Sequence, residues 1–254
     1  MKKISVPLVL PLLTISVILI LWQCISYSEV FPDYAFPTLS SVILSFAEEL
    51  SSLRLVNDII ASLWRVIIGF FLSAAMAIPL GLYFGHRRAL RQAFIPTLNF
   101  FRFLSPLAWI PFAILWFHIG DKPAIFLIFL ATFFPLCLSV ISSVATIPDI
   151  YFRVAKEYHY KGSELLLKIT LPAILPQLIS ALRICYGISW IVIVAAEMVG
   201  CQDGLGYGIW DARNALRLDT AVCYMITIGV LGMIIDRVFL QFTKAKNLKW
   251  GYGR

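Results

Sequence analysis

The strongest constraint on this chain is the length of its apolar runs. Ile4 to Ser28 holds no charged residue, and runs with few charges recur at about 60–85, 95–117, 123–145, 176–199 and 220–240. A helix rises about 1.5 Å per residue, so roughly 20 apolar residues cross the ~30 Å hydrocarbon layer of a bilayer. Six spans are therefore expected, the first over 6–27. Only 14% of residues are charged, against about 25% in soluble domains. Met1-Lys2-Lys3 ahead of an apolar run imitates a secretion signal. The run is long for a signal core and no small-residue cleavage pattern follows it, so it reads as a retained span.

The net charge of +7 could suggest nucleic acid, but the placement of the basic residues argues against it. With the N-terminus inside, the inner segments hold Lys2, Lys3, Arg87, Arg88, Arg91, Arg153, Lys156, Lys161, Lys168 and the basic residues after position 243. The outer segments hold Arg54, Lys122, Arg213 and Arg217. Such asymmetry is a topology signal. It predicts a multi-pass plasma-membrane protein with both termini cytoplasmic, lipid as its surroundings and no nucleic-acid partner.

The chain divides into three parts. Residues 1–57 carry the first span and a proline-marked segment in which Pro37-Thr38-Leu39-Ser40-Ser41 begins an amphipathic helix over 40–54. Residues 58–242 form the membrane core, and 243–254 a basic tail. In the second span Gly69, Ser73, Ala77, Gly81 and Gly85 recur every four residues, a stripe that lets another helix approach closely. The third span carries Pro96, Pro106 and Pro111, so it is expected to be irregular and to pack on protein or line a cavity. His118 to Pro123 reads as a tight turn, and 201–218 as a polar loop with a helical middle. The five cysteines are scattered without a CxxC pair, as buried apolar residues would be. No metal-ligand cluster and no nucleophile–base arrangement stands out, so no catalytic, metal or cofactor site is expected.

The longest charged interval is Arg153 to Pro176. Glu157 precedes Lys161 by four residues, and Glu164 precedes Lys168 by four, the favourable order for pairs on a helix surface. Val154, Tyr158, Leu165 and Ile169 fall on the other side. Pro172 and Pro176 are expected to end this helix, 153–168, before the fifth span. Periodicity alone makes it an amphipathic loop helix.

This segment resembles the ATPase-binding loop of binding-protein-dependent ABC importer permeases, whose pattern is E-A-A, three residues, G, nine residues, I-x-L-P. Ile169, Leu171 and Pro172 match its end, and Ala155 matches the third position of its start. Arg153 and His159 stand where the family has glutamate and glycine, and Gly162 offers a displaced bend. Ala61 to Val66, Ile78 to Gly81, Pro106 to Pro111, Leu115 to Phe117, Ala196-Glu197-Met198, Gly204 to Tyr207 and Asp211 to Asn214 look like the nitrate/sulfonate/taurine branch of these permeases. The resemblance implies an all-α, six-helix type I importer permease fold, a homodimer, a cytoplasmic ABC ATPase subunit on each half and an extracytoplasmic substrate-binding protein. It also makes 153–168 a coupling helix, with Arg153, Ala155, Glu157, Tyr158, His159, Gly162, Leu165, Ile169, Leu171 and Pro172 at the ATPase contact. No lysine is followed by Ser or Thr, so the chain lacks a phosphate-cradling loop; ATP is expected to be used by the partner.

Three charged residues in spans are candidates for a pathway or gate: Arg102, Arg183 and Glu197. Arg183 and Glu197 are 14 residues apart, about 21 Å along one helix, and cannot pair with each other. Glu197 has two open readings, a gate or binding-protein contact and a cap on the neighbouring glycine-rich loop. Arg102 likewise either faces a partner or snorkels. Two rivals remain at this level, an ion-coupled secondary transporter using these charges as a relay and a membrane scaffold that transports nothing. The branch resemblance suggests a small anion such as a sulfonate, taurine or nitrate, although related permeases serve uncharged vitamin precursors.

Overall fold

The computed structural model describes residues 6–28 and 35–243. Lys2 and Lys3, Pro32, and the tail from 244 onward lie outside the described residues. Every regular element among them is helical: α1 (Val6–Tyr27), α2 (Leu39–Ser51), α3 (Arg54–His86), α4 (Arg88–Phe103), a 3-10 turn (Pro106–Trp109), α5 (Ile110–Phe117), α6 (Asp121–Ala145), α7 (Asp149–Glu157), a three-residue turn α8 (Ser163–Leu165), α9 (Leu171–Gly200), α10 (Leu205–Asn214) and α11 (Leu218–Thr243). Four helical segments are long and apolar enough to cross a membrane: α3, α6, Ser163–Gly200 and α11. The pair α4 plus Pro106–Phe117 makes a fifth, bent by 80°.

The small-residue stripe of α3 does what its spacing predicts. A Cβ on Gly69 would lie 2.8 Å from the Ile128 side chain, and one on Gly81 or Gly85 would lie 2.7 Å from Val140 or Val144. Ser73 and Ala77 between them are fully buried. Branched residues of α6 thus seat directly on the α3 backbone, the close approach that drives helix association where lipid removes the hydrophobic term. On the other side of α6, α9 completes a three-helix centre. Its core has two layers. One is built around Leu127, Ile128, Ile193 and Leu205 near α10. The other is built around Leu136, Val140, Ile141 and Ile174 near α7.

The N-terminal helices sit at the periphery. Thr38 Oγ1 accepts from the Ser41 N–H at 3.1 Å and caps α2. Trp22 Nε1 donates to Pro37 O at 3.0 Å, tying the end of α1 to the start of α2. Ile18 and Ile20 of α1 are about 60% exposed.

Several expected boundaries move. α3 begins at Arg54, not near 60. The third span breaks at Leu104–Ser105, because Pro106 pushes Ser105 into extended backbone (ψ 125°). The expected helix 153–168 is two helices: α7 stops at Glu157, and a new helix starts at Ser163. Lys161 therefore lies outside any helix, and no Glu157–Lys161 helix pair forms. The pair Glu164–Lys168 does, at 2.8 Å. Pro172 and Pro176 do not end a helix either. The segment from Ser163 runs through a π-helical stretch, Leu166–Thr170, and on through both prolines to Gly200. The extra residue in the π turn changes the backbone bonding just before Pro172, whose missing N–H would otherwise leave a gap.

Candidate functional site

Two ends and one face of the bundle concentrate its polar chemistry. At the α10 end, Asp58, Ser62 and Arg65 fall on one face of α3, spaced four and three residues apart. All three are buried, as is Glu197 of α9. Asp58 Oδ1 accepts from Gly204 N at 2.8 Å, Ser62 Oγ from Leu205 N at 2.9 Å, and Glu197 Oε2 from Gly206 N at 2.9 Å. Side chains of two other helices thus satisfy the free N–H groups that open α10, which its own N-cap glycine cannot do. Gly204 has φ +102°, and a Cβ on Gly206 would lie 2.9 Å from Glu197 Cβ. Glycine is required at both positions for α10 to sit this close.

Arg65 is the centre of this end. Its Nε donates to Asp121 Oδ1 at 2.7 Å, and its Nη1 donates to Glu197 Oε1 at 2.8 Å and to Asp203 O at 2.9 Å. Nη2 reaches Asp203 Oδ1 and, at 2.7 Å, Asp121 Oδ1. Each of the three guanidinium nitrogens finds an acceptor, the condition under which a buried arginine is tolerated. The same cluster binds the start of α6, the end of α9 and the 201–204 loop. Cys201 closes it, with its Sγ 3.3 Å from Gly120 O; burial pushes this thiol up to about 12 against the pull of Arg65. Nearby, Tyr224 of α11 donates to Asp58 Oδ2 at 2.7 Å. Ion pairs Arg217–Glu48 and Arg54–Asp211 fasten α2 and α10 on the outside.

At the α7 end, Ala155 is buried and Phe152 meets the His86 ring edge-on, centroids 5.6 Å apart. His86 Nε2 lies 2.9 Å from Thr170 Oγ1, joining the end of α3 to the π stretch. The other face of α7 is open: Ile150, Val154 and Tyr158, spaced four apart, are 59%, 46% and 72% exposed. The turn after α7 explains the family pattern. Tyr160 N donates to Ala155 O at 2.9 Å and His159 N to Lys156 O at 3.0 Å. His159 has φ +58°. This is a Schellman ending, and His159 occupies its left-handed position, the usual place of glycine. Gly162 follows with φ +54°.

The protein-family model for the inner membrane component of binding-protein-dependent transport systems matches residues 77–245. The chain belongs to this family of transport permeases. An aliphatic sulfonates transport permease protein of Bacillus subtilis is 31% identical over 239 residues, 94% of this chain and 86% of its own. A nitrate import permease protein of Synechocystis is 31% identical over 241 residues, 92% and 87% of the two chains. Among solved structures, a chain of the MetNI methionine ABC transporter in an inward-facing conformation superposes with TM-score 0.66 at 18% identity. The match covers 75% of this chain and 95% of that one. The permease therefore has the fold of ABC importer permeases and is a membrane transport component, not an enzyme. Its family implies ATPase and binding-protein partners.

Of the sequence-derived site residues, Ala155 is the buried anchor of α7, while Arg153, Glu157, Tyr158 and His159 point outward. Leu171 packs in the core layer near α7. Ile169 and Pro172 line a hollow of about 290 Å³ between α6, α7 and α9, with Lys168 at its edge. Leu165 is half-buried beside the π stretch. Glu197 is fully buried and bonded to Ser62, Arg65 and Gly206 N. Arg102 is exposed, with its guanidinium over the Phe103 ring at 4.9 Å. Arg183 forms a two-pronged pair with Asp236 of α11, at 2.7 and 2.8 Å. Sequence reasoning missed Arg65 and Asp58 as the hub. The available signal was their occurrence, with Ser62, on one face at the start of an apolar span.

Proposed function

We propose that the permease imports a small oxyanion, taken from an extracytoplasmic binding protein and driven by ABC ATPase subunits. The observation that carries this is the pairing of near-full-length similarity with names that share one chemistry, a sulfonate and nitrate. In this reading α1 is a sixth span, two copies form the pathway between them, and the α7 end with both termini is cytoplasmic. The orientation follows from the basic residues around α4, α7 and α8. The exposed stripe Ile150, Val154 and Tyr158 is the ATPase contact, an apolar patch on an otherwise charged end. The break between α7 and Ser163 makes α7 a short lever on two left-handed turns, so the coupling element is α7 with its Schellman ending. Arg153, Glu157, His159 and Gly162 lie around that contact, and Leu165, Ile169, Leu171 and Pro172 set the helix behind it. Arg102 and Arg183, which face away from the chain's own core, border the pathway. α2, which packs on α11, and α10, which is tied to α3 by Arg54–Asp211, meet the binding protein at the other end. ATP is bound by the partner and not by this chain.

Co-purification and reconstitution test this. ATP in the compartment that holds α7 is expected to drive uptake of nitrate or methanesulfonate when the cognate binding protein is supplied on the other side. Purification without an ATPase, and no ATP-driven uptake of any solute, would overturn the reading. Val154→Asp is expected to weaken ATPase association while membrane insertion stays normal; unchanged association would move the contact off α7.

A further inference from the structure

Arg183 lies at an unusual depth. His86–Thr170 marks one edge of the bundle and Arg65–Glu197 the other. Arg183 is 13 residues from Thr170 and 14 from Glu197, so it sits about 20 Å from each edge, at the middle of the apolar zone. Its side chain is nevertheless 36% exposed and that of Asp236 50%. A charged pair at mid-depth faces a partner or a water-filled path, not lipid. Beside it α9 turns outward a strip of Ser180, Ile184, Gly187 and Ile191. Two adjoining hollows, about 280 and 510 Å³, open between α9 and α11 and share Trp190, Gly232 and Asp236. One turn along each helix from the charges lie two aromatic rings, Tyr186 and Phe239, with centroids 5.0 Å apart. Trp190 Nε1 is held by Ile228 O at 3.1 Å.

We propose that Arg183 is the anion-recognition group of a mid-membrane substrate site between α9 and α11, with Asp236 as its tethered placeholder. The inference rests on the oxyanion-import reading and adds a site to it. The Asp236 carboxylate takes Arg183 Nε and Nη2 through two parallel hydrogen bonds. Nitrate and sulfonates present the same pair of oxygens, which is the arrangement a guanidinium recognises in preference to an ammonium. Asp236 keeps the guanidinium oriented and compensated when no solute is present. A passing oxyanion takes the place of the Asp236 carboxylate on Arg183, and the displaced carboxylate is left to the hollow that it lines together with Arg237. Gly187, where an added Cβ meets nothing within 4 Å, leaves the approach open.

The test is cysteine accessibility in the complete transporter, with its ATPase and binding protein in liposomes. Cys24, the one exposed native cysteine among the described residues, is first changed to serine. Gly187→Cys is then treated with a charged methanethiosulfonate. Expected is modification despite the mid-membrane depth, slowed about tenfold by saturating nitrate or methanesulfonate and unaffected by chloride. Arg183→Gln should abolish the protection, and Arg183→Lys should restore part of it. Ile184→Cys serves if Gly187→Cys does not assemble. No modification at either position would mean that lipid or a second copy covers the face, and protection that survives Arg183→Gln would remove the role of the guanidinium; either result overturns the site. ATP-driven uptake by the unmodified transporter separates the two claims. Uptake of nitrate or methanesulfonate without protection sinks the site alone, whereas uptake of neither anion sinks the oxyanion reading.

Discussion

Arg65 ties α3 to the start of α6, the end of α9 and the 201–204 loop through its three guanidinium nitrogens. Removing it leaves Glu197 buried with its charge uncompensated. Arg65→Ala is therefore expected to cost about 3–5 kcal/mol, read as a lower thermal midpoint in detergent. The double change Arg65→Leu with Glu197→Leu should cost less than the single one, since no bare charge remains. At the other end, His159 holds a backbone angle that costs an L-residue about 1–2 kcal/mol relative to glycine. His159→Gly is expected to raise the thermal midpoint, and His159→Val to lower it, with the α7 turn as the affected site. Cys201 makes a chemical prediction. With its thiol pushed up by burial, little of the reactive thiolate forms at pH 8. Iodoacetamide should leave Cys201 unmodified in the folded permease and alkylate it once detergent denaturation removes the burial.

Among the elements, the α3–α6 seam was readable as spacing alone. Five small residues at four-residue intervals can only form a continuous groove on a helix, and the structure fills it with Ile128, Val140 and Val144. Gly81→Leu has no room to be accommodated and should cost about 1–3 kcal/mol or more, seen as loss of the folded fraction on size-exclusion. Gly229→Ala, where the added Cβ meets nothing within 4 Å, should be silent. The charged stretch is the counter-example. Its i, i+4 charge pairs describe one helix, but local pairs worth tenths of a kcal/mol do not outweigh a Schellman ending and a tertiary anchor at Ala155. The break at 158–162 was only half legible: Gly162 marked a bend, but the left-handed position that ends α7 is held by His159 in place of the glycine that signals such turns. The continuity through Pro172 and Pro176 was hidden for the complementary reason: a π turn supplies the slack that proline needs, and no sequence period announces it.

At the scale of the whole molecule the two ends are built differently. The α10 end is knitted by buried ionic contacts across α3, α6, α9 and α10 and fastened outside by α2. The α7 end has one buried alanine, one histidine bridge and an exposed apolar stripe. A permease that switches access by rigid-body movement would move as a unit at the first end and receive force at the second. Hydrogen exchange should accordingly be slowest in Arg65–Phe70 and the 197–208 segment and faster in 149–165. Uniform protection across both ends would contradict this division.

Sequence by itself determined that the chain is a helical membrane protein, roughly where its spans lie, which helix face packs closely and which loops carry the positive charge. Those follow from run length, small-residue spacing and charge placement, all local properties. It also carried the resemblance that the family match and the relatives bear out. Only the tertiary structure decided which partners the intramembrane charges have. A charge in an apolar span must have a partner, but the partner is supplied by another helix at a distance the sequence does not encode. Glu197 met Arg65, 132 residues away, and became a cap. Arg183 met Asp236, 53 residues away, and stayed open at mid-depth.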